Sequence, residues 1–234
     1  MAFAMTWDNT GEKVWEAGVD RGVLYKVNGT AYGKGIAWNG LTAVNESPSG
    51  AEENASYADN IKYASIFSRE EFGCTIEAFQ SPEEFDECDG MAALAKGVNI
   101  TMQSRKPFGF SYRTLIGSDV ADAGDAGYII HLVYGCKASP SEKNRETINE
   151  SPEPTGFSWE VTTTPVNVTG HKPTAHLTIN STLVDAAKLT AFEEIIYGKP
   201  AVEADPTNGI EAADAVDARL PLPDEVNRFF NGEG

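Results

Sequence analysis

Between Gln80 and Gly90 the sequence reads QSPEEFDECDG, which sets Glu83, Glu84, Asp86, Glu87 and Asp89 beside Cys88 and around one aromatic, Phe85. Oxygen donors this dense could hold a hard cation or poise two carboxyls for proton transfer, but the spacing fits neither. A calcium loop of the helix–loop–helix kind needs alternating oxygen ligands, a glycine at its sixth position and a glutamate at its twelfth. Asp86, Glu87, Cys88, Asp89 and Gly90 do not give that spacing. Zinc needs more than one soft ligand, and Cys88 has neither a histidine nor a second cysteine near it. Acid–base work requires two carboxyls in unlike environments. Ser81, Pro82 and Glu84 form instead a helix-start signature, a Ser-x-x-Glu box with proline at the first helical position. Gly90 stops that helix, and its acidic first turn complements the positive end of the helix dipole. The expectation is a capped surface helix anchored by Phe85.

The other reactive side chains are dispersed. His131, His171 and His176 are scattered, and a lone strand histidine such as His131 is expected to be packed rather than ligating. Cys74, Cys88 and Cys136 are odd in number and widely spaced, so they form neither a disulfide framework nor a zinc pattern, and a reducing compartment suits them. The glycine-rich GTAYGKG at 29 to 35 lacks the spacing and the following helix of a phosphate cradle. Asp119, Asp122 and Asp125 lie in a small, acidic stretch, GSDVADAGDAG, which reads as a hairpin loop more readily than as a calcium site. No Gly-x-Ser-x-Gly, His-Glu-x-x-His or P-loop sequence occurs. No catalytic residue, metal ligand or cofactor is therefore expected.

The elements around these residues are mostly strands. In FSWEVTTTPV, Phe157, Trp159 and Val161 share one face while Ser158, Glu160 and Thr162 share the other. TAHLTIN alternates in the same way. GYIIHLVYG is apolar on both faces apart from His131 and reads as a central strand. GFSYRTLIG and GCTIEAF resemble it, and weaker strands are expected at GVLYKV and GKGIAWNGLTAVNES. A second helix follows LTIN: Thr182 caps it, Leu189, Phe192, Ile195 and Ile196 form its apolar stripe, and Gly198 and Pro200 end it. The fold class expected is mainly β, a sandwich or barrel of two antiparallel sheets with one flanking amphipathic helix and a short second helix. Residues 1–198 form this domain with an N-terminal arm, 199–219 an acidic linker or insertion, and 220–234 a C-terminal segment. That last segment carries Leu220, Leu222, Val226, Phe229 and Phe230 without an obvious internal partner. It is expected to dock on the domain or on a neighbouring subunit, and the arm from Phe3 to Trp15 is the alternative inter-subunit contact.

With 234 residues, 41% of them hydrophobic, the chain can bury a core. Its net charge of −17, from 35 acidic and 18 basic residues, excludes a protein that grips nucleic acid or an anionic membrane through phosphates. No apolar run is long enough to span a membrane, and MAFAMTWDNTGEKVW lacks the basic start and apolar core of a signal peptide.

Five blocks in order resemble the major tail proteins of long-tailed, non-contractile bacteriophages: SREEFGCTIEAFQSPEEFDECDG, RKPFGFSYRTLIGSD, IHLVYGCKASPSEKNRETINESPEP, FSWEVTTTPV and KPTAHLTIN. The closing LPLPDEV also looks like the end of that family, whereas the stretch from Lys199 to Arg219 fits it least. The resemblance implies a tail-tube β-sandwich that self-assembles into hexameric rings stacked as a tube, with part of each sheet joining a continuous barrel around a channel. It implies tape-measure, tail terminator and tail-tip proteins as partners, transient passage of double-stranded DNA, and residence in the virion after synthesis in the host cytoplasm. An acidic channel would repel the passing duplex within the Debye length of about 8–10 Å. Asp119, Asp122, Asp125 and Glu160 are the residues proposed for such a surface. Rival readings are another virion ring component, at the head–tail joint or baseplate, and a carbohydrate-binding sandwich using Trp7, Trp15, Trp38 and Trp159.

Overall fold

The computed structural model describes residues 5–145, 147, 148, 150, 154–202 and 213–232. Twelve strands are seen among them: β1 (Val14–Asn28), β2 (Ala31–Trp38), β3 (Leu41–Glu46), β4 (Glu53–Ala58), β5 (Ile61–Phe67), β6 (Gly73–Ala78), β7 (Ala92–Ala95), β8 (Val98–Ile100), β9 (Phe108–Ser118), β10 (Gly127–Ala138), β11 (Phe157–Thr163) and β12 (His176–Asn180). Two α-helices follow, α1 (Ala186–Tyr197) and α2 (Pro223–Asn231). The chain is thus mainly β and antiparallel, as its alternating pattern requires. Eight strands form one continuous sheet in the order β2-β1-β9-β10-β11-β6-β3, with β12 also paired to β10. The remaining four make two isolated ribbons, β4–β5 and β7–β8.

Where two separate sheets were expected, one sheet folds over itself at β10. Ile129 to Val133 of this strand pair with β12, whereas Cys136 to Ala138 pair with β11. Between these halves the ladder to β9 shifts register, and Gly135 sits in the left-handed region at φ +60°. A Cβ there would collide with the Thr164 carbonyl, so only glycine lets the strand change partners at this point.

Alternation along the bent sheet sorts apolar side chains into two cores. Inside the fold lie Leu24, Trp38, Ile76, Phe85, Phe108, Phe110, Tyr112, Val133, Trp159 and Val161. On the opposite face Val23, Tyr25, Ile130, Leu132, Tyr134 and Ile179 meet Leu189, Phe192 and Ile196 of α1. Neighbours Leu24 and Tyr25, or Val133 and Tyr134, point into different cores because successive strand residues face opposite sides. Two buried phenols keep partners: Tyr25 donates to the Ile196 carbonyl at 2.7 Å and Tyr134 to the Pro221 carbonyl at 3.0 Å. The three cysteines are buried and free.

Local chemistry corrects both helix readings. Asp185, not Thr182, caps α1, accepting from the backbone N–H groups of Ala187 and Lys188. Thr182 is occupied one turn earlier, where its N–H and hydroxyl both donate to Asn180 Oδ1. The stretch from Ser81 makes only a single 3₁₀ turn, Glu83–Phe85, entered through extended Pro82 with no side-chain cap. Phe85, Cys88, Asp89 and Gly90 are buried, so the segment is a plug in the fold rather than a surface helix. Asp89 is held by Arg105 Nη1 at 2.9 Å and by Lys143.

The C-terminal segment packs on its own domain. Leu220 and Val226 are buried in the α1-side core, and Phe229 and Phe230 stack around Phe192 with ring centroids 5.6 and 5.3 Å away. Two carboxylates fasten the start of α2. Asp224 accepts from the Thr169 N–H at 2.8 Å and hydroxyl at 2.7 Å, and Glu225 is gripped by the Arg219 guanidinium. The Thr169 hydrogen bonds hold the Asp224 carboxyl below its ordinary range, and the Arg219 contact does the same for Glu225. Groups depressed on folding contribute stability above the unfolded pKa of about 4 that is lost as pH falls through the folded values. Hydrogen exchange should therefore find α2 losing protection between about pH 5 and pH 2 while β9 and β10 keep theirs. Equal retention in α2 and the two strands would contradict this clasp.

The acidic segment 199–219 is anchored at both ends. Lys199 bridges to Val216 and Val202 to Ala213, and the Ala218 carbonyl accepts from Gly35 on β2. Its middle, 203–212, lies outside the described residues, as does Phe3 of the N-terminal arm.

Candidate assembly surface and a histidine pair

The sequence expectation had not placed strands in residues 53–67, where the structure has its most exposed apolar element. β3 and β6 pair at the edge of the main sheet, and the same register runs outward from Ala43–Glu77 and Glu46–Cys74. It continues through a bridge at Ser49–Glu71 to the pairs Glu53–Phe67 and Ser56–Ala64. β4 and β5 are therefore the outer half of one long hairpin, closed at Asp59-Asn60, both of which have positive φ, as a type I′ turn demands. At about 3.3 Å per residue the projecting half reaches roughly 20 Å.

Every residue of β4 is exposed, and β5 is exposed except at one half-covered position. Tyr57 (71%), Ile61 (65%), Tyr63 (78%), Ile66 (65%) and Phe67 (65%) lie open to solvent. Ile66 and Phe67 are sequence neighbours, so both faces of the ribbon are apolar. Among the described residues β4 and β5 pair only with each other, which leaves two unpaired backbone edges. A lone two-stranded ribbon is marginal in water, and exposed apolar surface with open edges is what a partner chain covers. The legible signal was the tyrosine–isoleucine alternation around ADNI, masked by its alanines and serines.

The residues singled out from sequence are dispersed. Asp119 Oδ1 and Oδ2 accept from the Gly11 N–H at 3.0 and 3.1 Å and so tie down the N-terminal arm. Asp122 and Asp125 are exposed in the β9–β10 loop, with the Asp125 N–H donating to the Asp122 carbonyl. Glu160 is exposed on β11 opposite Thr75 of β6, on the polar outer face of the folded sheet that also carries Glu77 and Thr162. Of the proposed contact residues, Leu220 and Val226 are buried at home and Phe229 and Phe230 are half-covered, while Leu222 is 42% exposed. The segment thus has partners within its own chain that the sequence alone did not make obvious. Of the tryptophans singled out for a sugar platform, Trp38 and Trp159 are buried at 3% and 1% exposure, while Trp7 and Trp15 are exposed.

Two histidines that the sequence left apart are brought together. His131 pairs across the ladder with Thr178, and His176, two residues along, lies diagonally on the same face. His131 Nδ1 is 3.1 Å from His176 Nε2, and the rings are nearly coplanar at 7°. Glu46, the last residue of β3, brings Oε1 to 3.5 Å from His131 Nδ1 and accepts from the Tyr112 hydroxyl at 2.6 Å. His131 stacks on Tyr112 and His176 on Phe72, each at 4.4 Å between centroids. Burial lowers both histidine pKa values, with the Glu46 carboxylate opposing it, so both rings are neutral at pH 7.

Compared with known proteins, the chain matches no protein-family model and no curated protein.

Proposed function

We infer that this chain is a structural subunit that assembles with copies of itself, and that the assembly is the tube of a bacteriophage tail. The observation that carries the reading is the β4–β5 arm, which projects from the sheet edge with apolar side chains on both faces and two open edges. A second copy of this chain is the occupant proposed for it. Between Glu53 and Phe67 the arm holds one lysine and two carboxylates, so it offers a nearly neutral contact on a chain of net charge −17. Copies that repel at long range can then meet where charge is least.

The stacked ring and its six-fold order come from the family resemblance, as do tape-measure, terminator and tip proteins as neighbours. Within such a ring the uncovered face of β11, β6 and β3, with Glu160, Glu77, Thr75 and Thr162, is the surface we assign to the channel. Its carboxylates would keep a passing duplex from adhering, since phosphate binding needs the opposite charge. The test is negative-stain microscopy with light scattering across a range of concentrations. Hollow rings or tubes of uniform width are the expected result. A monomer at every concentration, with and without tail-tip complexes as initiator, would overturn the reading.

A further inference from the structure

We propose that Glu46, His131 and His176 form a binding site for a late first-row divalent cation, zinc in the first instance, which clamps the root of the projecting arm to the sheet. One donor atom from each of the three residues lies within 4.8 Å of the other two. Two nitrogens on one tetrahedral zinc, each about 2.0–2.1 Å from the metal, stand about 3.3 Å apart. The observed 3.1 Å between His131 Nδ1 and His176 Nε2 is close to that spacing, as is the 3.5 Å from His131 Nδ1 to Glu46 Oε1. The third edge closes by a small rotation of the Glu46 side chain, which is 38% exposed, about its hydrogen bond from the Tyr112 hydroxyl.

The surroundings fix the His131 tautomer that ligation needs. Thr114 Oγ1 lies 3.0 Å from Glu16 Oε2 and 3.0 Å from His131 Nε2. A hydroxyl has one hydrogen and a carboxylate only accepts, so Thr114 donates to Glu16 and must accept from His131 Nε2–H. His131 Nδ1 is then a bare acceptor that takes a hydrogen bond from His176 Nε2–H, and a bound cation would take the place of that hydrogen, His176 carrying its own on Nδ1 instead. A chain of imidazole N–H, hydroxyl and carboxylate behind a ligating histidine is the outer support that orients such ligands. The Tyr112 hydroxyl on Glu46 does the same for the carboxylate. Two imidazoles and one carboxylate select zinc, copper or nickel over magnesium or calcium, which want oxygen alone. Three protein ligands leave a fourth position for water.

The placement gives the cation a mechanical role. Glu46 ends β3 where the arm leaves the body, and Phe72, stacked on His176, immediately precedes β6 on the returning strand. His131 and His176 belong to β10 and β12 of the main sheet. A bound cation would join these elements at a single point. The inference stands on this geometry and does not require that the assembly be a tail tube.

Isothermal titration of the full chain with zinc chloride, beside thermal melts with and without zinc, tests it. One zinc per chain is expected, with a raised melting temperature. E46Q and H176Q should each weaken binding tenfold or more, whereas H171Q, at an exposed histidine outside the cluster, should bind as the parent does. Nitrogen-15 spectra should place the zinc-induced shifts at His131 Nδ1 and His176 Nε2. Absence of saturable binding, unchanged affinity in E46Q, or loss in H171Q would overturn the site. E46Q alters a partly exposed side chain without changing its shape, so it decides the matter even if H176Q folds poorly.

Discussion

Replacing residues 53–67 by Asn-Gly should yield a protein that melts within about 3 °C of the parent yet assembles only at concentrations at least about a hundredfold higher. The replacement is geometrically clean. The Ser68 N–H donates to the Glu52 carbonyl at 3.0 Å, so these residues face each other across the hairpin. A two-residue Asn-Gly loop joins partners so placed in the type I′ turn that the twist of the strands favours. Nothing in either core is touched, because no side chain of β4 or β5 is buried. Stability should therefore be nearly unchanged. Assembly should not be. Burying one large apolar side chain contributes about 1.5–3 kcal/mol, and five such side chains stand open on the arm. Ordering the arm against a partner costs part of this. Retaining roughly 2.8 kcal/mol per contact is enough for a hundredfold effect. Sedimentation and microscopy of parent and variant, matched for concentration, read the outcome. I66D tests the same surface without a deletion and should act in the same direction. Parent-like assembly of both variants would show that the arm is not the contact.

The arm was hard to find in the sequence for a physical reason. Period-two alternation signals a strand with one buried face, and both faces of the arm are open. Its apolar residues therefore need not alternate with polar ones, and ENASYADNIKYASIF does not read as a half-buried strand. Where one face is buried the signal was clear: Phe157, Trp159 and Val161 in β11, and Ala175 and Ile179 at β12, all point inward as their spacing requires. The apolar stripe of α1 was equally plain, with Leu189, Phe192 and Ile196 buried. α2 was missed because Leu220, Val226, Phe229 and Phe230 look unpartnered until α1 is in place beneath them. The histidine pair was invisible for the same kind of reason. His131 and His176 meet only through the β10–β12 register, which no local pattern encodes, and Glu46 arrives through the folding of the sheet.

The acidic stretch around Phe85 yields the second large effect: F85A should destabilise the fold by about 3–5 kcal/mol, as truncation of a fully buried phenylalanine does. Phe85 has no exposed surface. Its ring lies 4.6 Å from Trp38, 5.4 Å from Phe108 and 5.5 Å from Trp159, centroid to centroid, with the last two edge-on. These neighbours come from β2, β9 and β11, so one side chain fills the space enclosed where the sheet folds over. The 3₁₀ turn that presents it is too short to collapse inward after truncation, because Gly90 and the Asp89 contacts to Arg105 and Lys143 pin its far end. A cavity should remain, with the lost edge-to-face contacts adding to its cost. For a chain of this size the loss corresponds to a drop in melting temperature of about 6–20 °C. The carboxylates give the contrast. Glu83 and Glu84 are exposed, and the paired change to glutamine should shift stability by no more than about 0.5 kcal/mol. Calorimetry of the two variants separates the roles. A large loss in F85A with none in E83Q/E84Q makes the stretch a plug whose acidic residues keep its outer turn solvated. The reverse pattern would return the carboxylates to the status of a site.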